Sequence, residues 1–88
     1  MAIPPEAASA VDVAMTDAAS HLSVSRDQLR LEQVTPTQWP DSSLGCPQPG
    51  LMYSQIVTPG YLIVISSGGQ QLEYHTDMRS RLTLCRES

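Results

Sequence analysis

The stretch Tyr61-Leu62-Ile63-Val64-Ile65-Ser66-Ser67-Gly68-Gly69-Gln70-Gln71-Leu72-Glu73-Tyr74 decides the fold. Two runs rich in β-branched and aromatic residues flank Gly68-Gly69, a pair free to take the positive φ of a two-residue hairpin turn. Folding about that turn sets Ile65 opposite Leu72 and Ile63 opposite Tyr74. A one-residue slip would send each of these side chains to the other face, so the sorting itself specifies the register.

Towards the C-terminus, Asp77-Met78-Arg79-Ser80 predicts a longer turn into a strand over Arg81–Cys85, with Leu84 facing Tyr74. Towards the N-terminus, Leu51–Val57 predicts another strand. Thr58-Pro59-Gly60-Tyr61 would join it to the hairpin through a type II turn, placing Ile56 opposite Ile63. Tight turns between successive strands make an antiparallel meander. Gln28–Val34 adds one more strand, with Leu29 and Leu31 on one face and Arg30 and Glu32 on the other. Thr35-Pro36-Thr37 is expected to end it, because proline has no N–H for a ladder.

Before the sheet, Pro4-Pro5-Glu6 signals a helix start: proline suits the first turn and an acid there complements the helix dipole. Ala7, Val11, Ala14, Met15, Ala18 and Leu22 then recur at helical spacing, with Glu6, Ser9, Asp12, Thr16 and Ser20 largely opposite. Ser23 to Asp27 is a polar break. With 88 residues there is room for one domain, covering 1–88, of which 1–5 are expected to lack order. The predicted fold class is α+β: one N-terminal helix on a four- to five-stranded antiparallel meander, with a long proline-rich loop on the other face.

The need for that loop comes from the sheet. One face collects Ile56, Tyr61, Ile63, Ile65, Leu72, Tyr74, Leu82 and Leu84, enough to receive the helix. The other holds Tyr53, Gln55, Val57, Leu62, Val64, Glu73, His75, Thr83 and Cys85. A solvated face should alternate cleanly, and Leu62 and Val64 break the alternation, so something covers them. The candidate is Trp39-Pro40-Asp41-Ser42-Ser43-Leu44-Gly45-Cys46-Pro47-Gln48-Pro49-Gly50, with Trp39 and Leu44 as the covering groups. Asp41-Ser42-Ser43 reads as an Asx turn that shapes the loop.

That string, together with Tyr53, Pro59-Gly60-Tyr61, Tyr74-His75-Thr76-Asp77 and Cys85, resembles a family of small bacterial domains of uncharacterised function. Members occur in cyanobacteria among others and include exported forms. The resemblance covers residues 24–86 and implies a domain without implying an activity or catalytic residues. The helix-then-meander order also resembles the PepSY and cystatin-like arrangement, in topology alone, and function does not travel with topology.

Cys46 and Cys85 admit several readings. If the loop folds over the second face they meet, and a bridge closing a loop of about 40 residues would contribute roughly 3.5–4 kcal/mol in the chain-entropy model. Two free thiols in a reducing compartment are the plain alternative. A nucleophilic cysteine paired with His75 is the sharper one, although no oxyanion donor set is recognisable nearby. A zinc site would need Cys46, Cys85, His21 and His75 together, without the usual ligand spacing, so no metal and no cofactor is expected.

Charge narrows the partners. Five arginines and no lysine stand against nine acids, a net charge of −4. Nucleic-acid binding relies on clustered basic residues, so none is expected, and Arg79, Arg81 and Arg86 read as a solvated end. No apolar run reaches the ~18–20 residues of a membrane span, and the acidic polar face of the helix argues against a bilayer surface. Met1-Ala2-Ile3-Pro4-Pro5 has neither a basic nor a long apolar region, which favours the cytoplasm; a leader removed upstream would leave the same start. The expectation is a monomeric, non-enzymatic, inhibitor-like binding module for another protein. Trp39, Asp41, Ser42, Leu44 and Gln48 would form its recognition surface. A thiol-dependent enzyme or redox protein using Cys46 or Cys85 with His75 is the alternative.

Overall fold

A computed structural model of the chain describes residues 3–79 and 81–88. Helix α1 (Ala8–Leu22) is followed by strands β1 (Arg30–Trp39), β2 (Thr58–Ser67), β3 (Gln70–Asp77) and β4 (Leu82–Glu87). The strands form one antiparallel sheet in the order β1-β2-β3-β4. This is the expected α+β architecture. Of the five residues expected to lack order, 1 and 2 lie outside the described residues, and Pro5 opens the 3-10 turn Pro5–Ala7 that leads into α1.

Helix α1 stops for a local reason. Ser23 adopts φ 55°, ψ 47°, and its N–H reaches back to Ser20 O while Val24 N–H reaches Ala19 O at 3.0 Å. Those two bonds make a Schellman cap that occupies the orphan carbonyls of the last turn, with serine in the left-handed position glycine usually takes. The helix and the 3-10 turn before it lay Ala7, Val11, Ala14 and Ala18 on the sheet, against Tyr61, Ile63 and Ile65 of β2 and Leu72 and Tyr74 of β3. Three of these four residues are alanines, small enough for the segment to lie close against the strands. Met15, Leu22, Leu29, Leu31, Val34, Leu82 and Leu84 close its rim. Tyr74 is fully buried, and its hydroxyl donates to Asp17 Oδ2 at 2.6 Å. Burial first, and then that hydrogen bond, pushes its phenol well above the ordinary tyrosine range.

The hairpin has the expected register, with Ile65 on Leu72 and Ile63 on Tyr74, and Tyr74 faces Leu84 on β4. Gly68 and Gly69 take φ 55° and 84°, as a two-residue turn of this hand requires. Asp77 organises the next turn by accepting Arg79 N–H and Arg81 N–H on Oδ1, at 2.9 and 3.1 Å. The expected fourth residue of that turn, Ser80, lies outside the described residues.

Two expectations on the N-terminal side are overturned. The first strand does not stop at Thr35-Pro36-Thr37 but runs through to Trp39, with Pro36 opposite Tyr61. It is an edge strand with a single neighbour, and an edge tolerates a residue that cannot donate to a ladder. Because β1 continues, it occupies the whole free edge of β2, and nothing is left for Leu51–Val57 to pair with. That segment is therefore no strand. Ile56 is 66% exposed, and Val34, not Ile56, is the partner of Ile63. Thr58-Pro59-Gly60-Tyr61 is likewise no turn but the start of β2, with Thr58 opposite Trp39. Tyr53, Gln55 and Val57 consequently leave the outer face of the sheet. Residues 40–57 are a single long connection between β1 and β2.

Candidate functional site

The first part of that connection folds back over the outer face. Asp41 Oδ1 accepts both the Ser43 hydroxyl, at 2.5 Å, and the Ser43 N–H, at 2.9 Å, forming the expected Asx turn. Those two bonds, the hydroxyl's first, hold the Asp41 carboxyl below the usual carboxylate range. Leu44 and Gly45 then take φ 60° and 72°, which reverses the chain and drives the Leu44 side chain to full burial. Further on, Ser42 N–H donates to Ser54 O at 3.0 Å, and Ser54 N–H returns a bond to Ser42 Oγ at 2.8 Å. Tyr53 hydroxyl accepts Gln48 N–H at 2.9 Å. The loop is thus braced against itself before it touches the sheet.

Its docking point is His75. The Trp39 indole stacks on the imidazole with centroids 4.3 Å apart and planes inclined by 18°. The indole N–H donates to Thr76 O at 2.9 Å, giving a buried tryptophan the acceptor it needs. Two glycines make this fit possible. A Cβ on Gly45 would stand 2.8 Å from Trp39 Cε3, and a Cβ on Gly60 would stand 1.8 Å from that same Thr76 oxygen. At both positions a side chain would push the tryptophan or the neighbouring strand away.

The imidazole is 6% exposed and has both nitrogens engaged. Nδ1 lies 2.7 Å from Leu44 O, and Nε2 lies 2.7 Å from Glu73 Oε2. A carbonyl only accepts, so Nδ1 donates to Leu44 O, while Glu73 holds the other side of the ring. Cys85 Sγ stands 3.2 Å from Nδ1. Cys85 is bonded to Cys46, with Cα atoms 5.8 Å apart, so the loop is tied covalently to β4 beside the histidine.

The candidate residues thus separate into two groups. Trp39 and Leu44 are buried and belong to the attachment of the loop; Asp41 and Ser42 are half-buried and shape it; Gln48 is exposed. Leu62 and Val64 are half-buried. The indole's stack is on His75, the cross-strand neighbour of Leu62. Of the conceivable zinc set, Cys46, Cys85 and His75 lie together with the cysteines bonded to each other, while His21, on the helix, meets Glu87 at 2.9 Å. Sequence reasoning missed the anchoring role of His75 and the clearance made by Gly45 and Gly60. The pairing of Glu73 with His75 was available, since residues two apart on a strand share a face.

Beyond the anchored part, the connection carries its apolar side chains outward. Leu51, Met52, Ile56 and Val57 are 62%, 97%, 66% and 59% exposed. Among the described residues no helix is long and apolar enough to cross a membrane. The model of a family described as a domain of unknown function, DUF8738, matches residues 11–85. No curated protein and no solved structure matches the chain.

Proposed function

The chain belongs to the DUF8738 family of domains of unknown function, and on that premise we propose that it is a non-enzymatic binding module for another protein. The observation that carries this reading is the outward display of Leu51, Met52, Ile56 and Val57 on a connection fixed at its base. Apolar side chains gathered on one exposed segment mark an interaction surface more often than scattered ones do. The Trp39 stack, the Cys46–Cys85 bond and the Ser42–Ser54 pair restrict the loop beforehand, so binding costs less conformational entropy. This is the logic of rigid inhibitor loops. Trp39 and Leu44 act in it as supports, while Gln48 and the segment after it meet the partner. The low count of basic residues favours a protein partner over nucleic acid, and the module acts as a monomer. The helix-over-meander order supports placing it beside PepSY and cystatin-like domains in topology only.

A photo-crosslinking residue at Met52 tests the reading, with one at exposed Asp12 as control. The expected result is a discrete adduct from position 52 in cells, lost when Ile56→Ser and Val57→Ser are added. Equal labelling from both positions would contradict it. The second reading, thiol chemistry, is favoured by the 3.2 Å contact between Cys85 Sγ and His75 Nδ1. A redox protein of this kind would accelerate reduction of a test disulfide by dithiothreitol; a binding module would not.

A further inference from the structure

We propose that the Cys46–Cys85 bridge is a site of thiol exchange, where a low-mass thiol such as glutathione adds to Cys46 while His75 receives the departing Cys85 sulfur. The two sulfurs are chemically unequal. Cys85 sits on β4 with its Sγ 3.2 Å from His75 Nδ1, and Cys46 sits on the loop. Nδ1 must carry hydrogen, because its other neighbour is the carbonyl of Leu44. Nε2 is held on the Glu73 carboxylate at 2.7 Å, which fixes the orientation of the ring. The Trp39 face, the Thr76 backbone and the cross-strand partners Leu62 and Thr83 are uncharged, and Arg86 is the cross-strand partner of Glu73.

The exchange follows from this placement. A thiolate RS⁻ attacks Cys46 Sγ; the new S–S bond forms as the Cys46–Cys85 bond breaks, and its electron pair leaves on Cys85 Sγ. The products are Cys46–S–S–R and a Cys85 thiolate, so charge and atoms balance without an outside oxidant or reductant. A thiolate that can accept a ring N–H is stabilised, and the sulfur that makes the better-stabilised thiolate is the faster leaving group. Attack at Cys85 would expel a Cys46 thiolate without that donor. Both sulfurs belong to half-buried residues, which suits a small thiol better than a protein one. Opening the bridge removes the covalent tie of the loop that displays Leu51–Val57, and the Leu44 carbonyl is free to leave Nδ1. The proposal goes beyond both readings above, because it requires neither a partner nor turnover.

Oxidised protein incubated with graded glutathione, trapped with N-ethylmaleimide and mapped by peptide mass spectrometry gives the test. Glutathione is expected on Cys46 and maleimide on Cys85, in about tenfold excess over the reverse. In His75→Gln the excess should fall towards parity. Wild type unfolded in urea should show parity too, which keeps the test decisive if the variant does not fold. An excess that persists in urea would assign the choice to sequence neighbours and overturn the role of His75. Equal or inverted labelling of the native protein, or no mixed disulfide at any glutathione concentration, would overturn the site itself.

Discussion

The two faces of the sheet are held by different physics. On the inner face, α1 covers Ile63, Ile65, Leu72 and Tyr74 with small residues, an apolar layer with the Tyr74–Asp17 hydrogen bond at its edge. On the outer face the covering segment has no regular structure and few apolar groups. It is held by one aromatic stack, hydrogen bonds to Thr76 O and His75, and one disulfide. The inner layer needs only side chains of about the right size in the right pattern. The outer layer needs particular atoms at particular distances. The lesson is that a small domain can spend its apolar residues on one layer and close the other with directional and covalent contacts.

The largest effect comes from the covalent tie. Cys46→Ser with Cys85→Ser should lower unfolding stability by about 4 kcal/mol in the chain-entropy model, seen as a lower urea midpoint. Ile63→Ala in the inner layer comes next, at about 3 kcal/mol, because it leaves a cavity under α1. Trp39→Phe preserves a ring on His75 but strands the Thr76 carbonyl; about 2 kcal/mol should be lost, also by urea unfolding.

Two smaller effects depend on pH and separate the layers. Tyr74 has its phenol raised in the folded state by burial and by Asp17. Its neutral form is fully accommodated below the unfolded tyrosine value of about 10. As pH rises past that point only the unfolded chain ionises, so stability is lost on the alkaline side, and Tyr74→Phe should flatten that decline in a pH series of thermal midpoints. Asp41 works in the opposite direction. Its carboxyl is lowered in the fold by Ser43, so its contribution is present above the unfolded aspartate value and fades as pH falls below it. Asp41→Asn should remove that acid-side component, and the change should be the smallest of the five.

How much of this could be read from sequence follows the same division. The hairpin was legible because Gly68-Gly69 fixes the turn and the alternation around it sorts in only one register. The helix was legible because its stripe repeats at 3.6 residues and Pro4-Pro5 marks its start. Leu51–Val57 was not, since its composition is that of a strand and only the absence of a free edge denies it one. That edge was taken by β1 running past Pro36, a step that depends on β1 having a single neighbour. The meeting of Cys46 and Cys85 followed from sending the loop over the second face. The anchoring role of His75 did not, because Trp39 reads as a loop residue when it is the last residue of a strand aimed at β3.

The central claim, that the loop is clamped on His75 through Trp39, is tested most directly by hydrogen exchange at the Trp39 indole N–H. Trp39 is the only tryptophan, so its NMR signal is unambiguous. In the oxidised protein that hydrogen, bonded to Thr76 O, should be protected. After reduction it should exchange far faster, while the amides of Ile63 and Ile65 under α1 keep their protection. Exchange of the indole at the rate of free tryptophan in the oxidised protein would contradict the account.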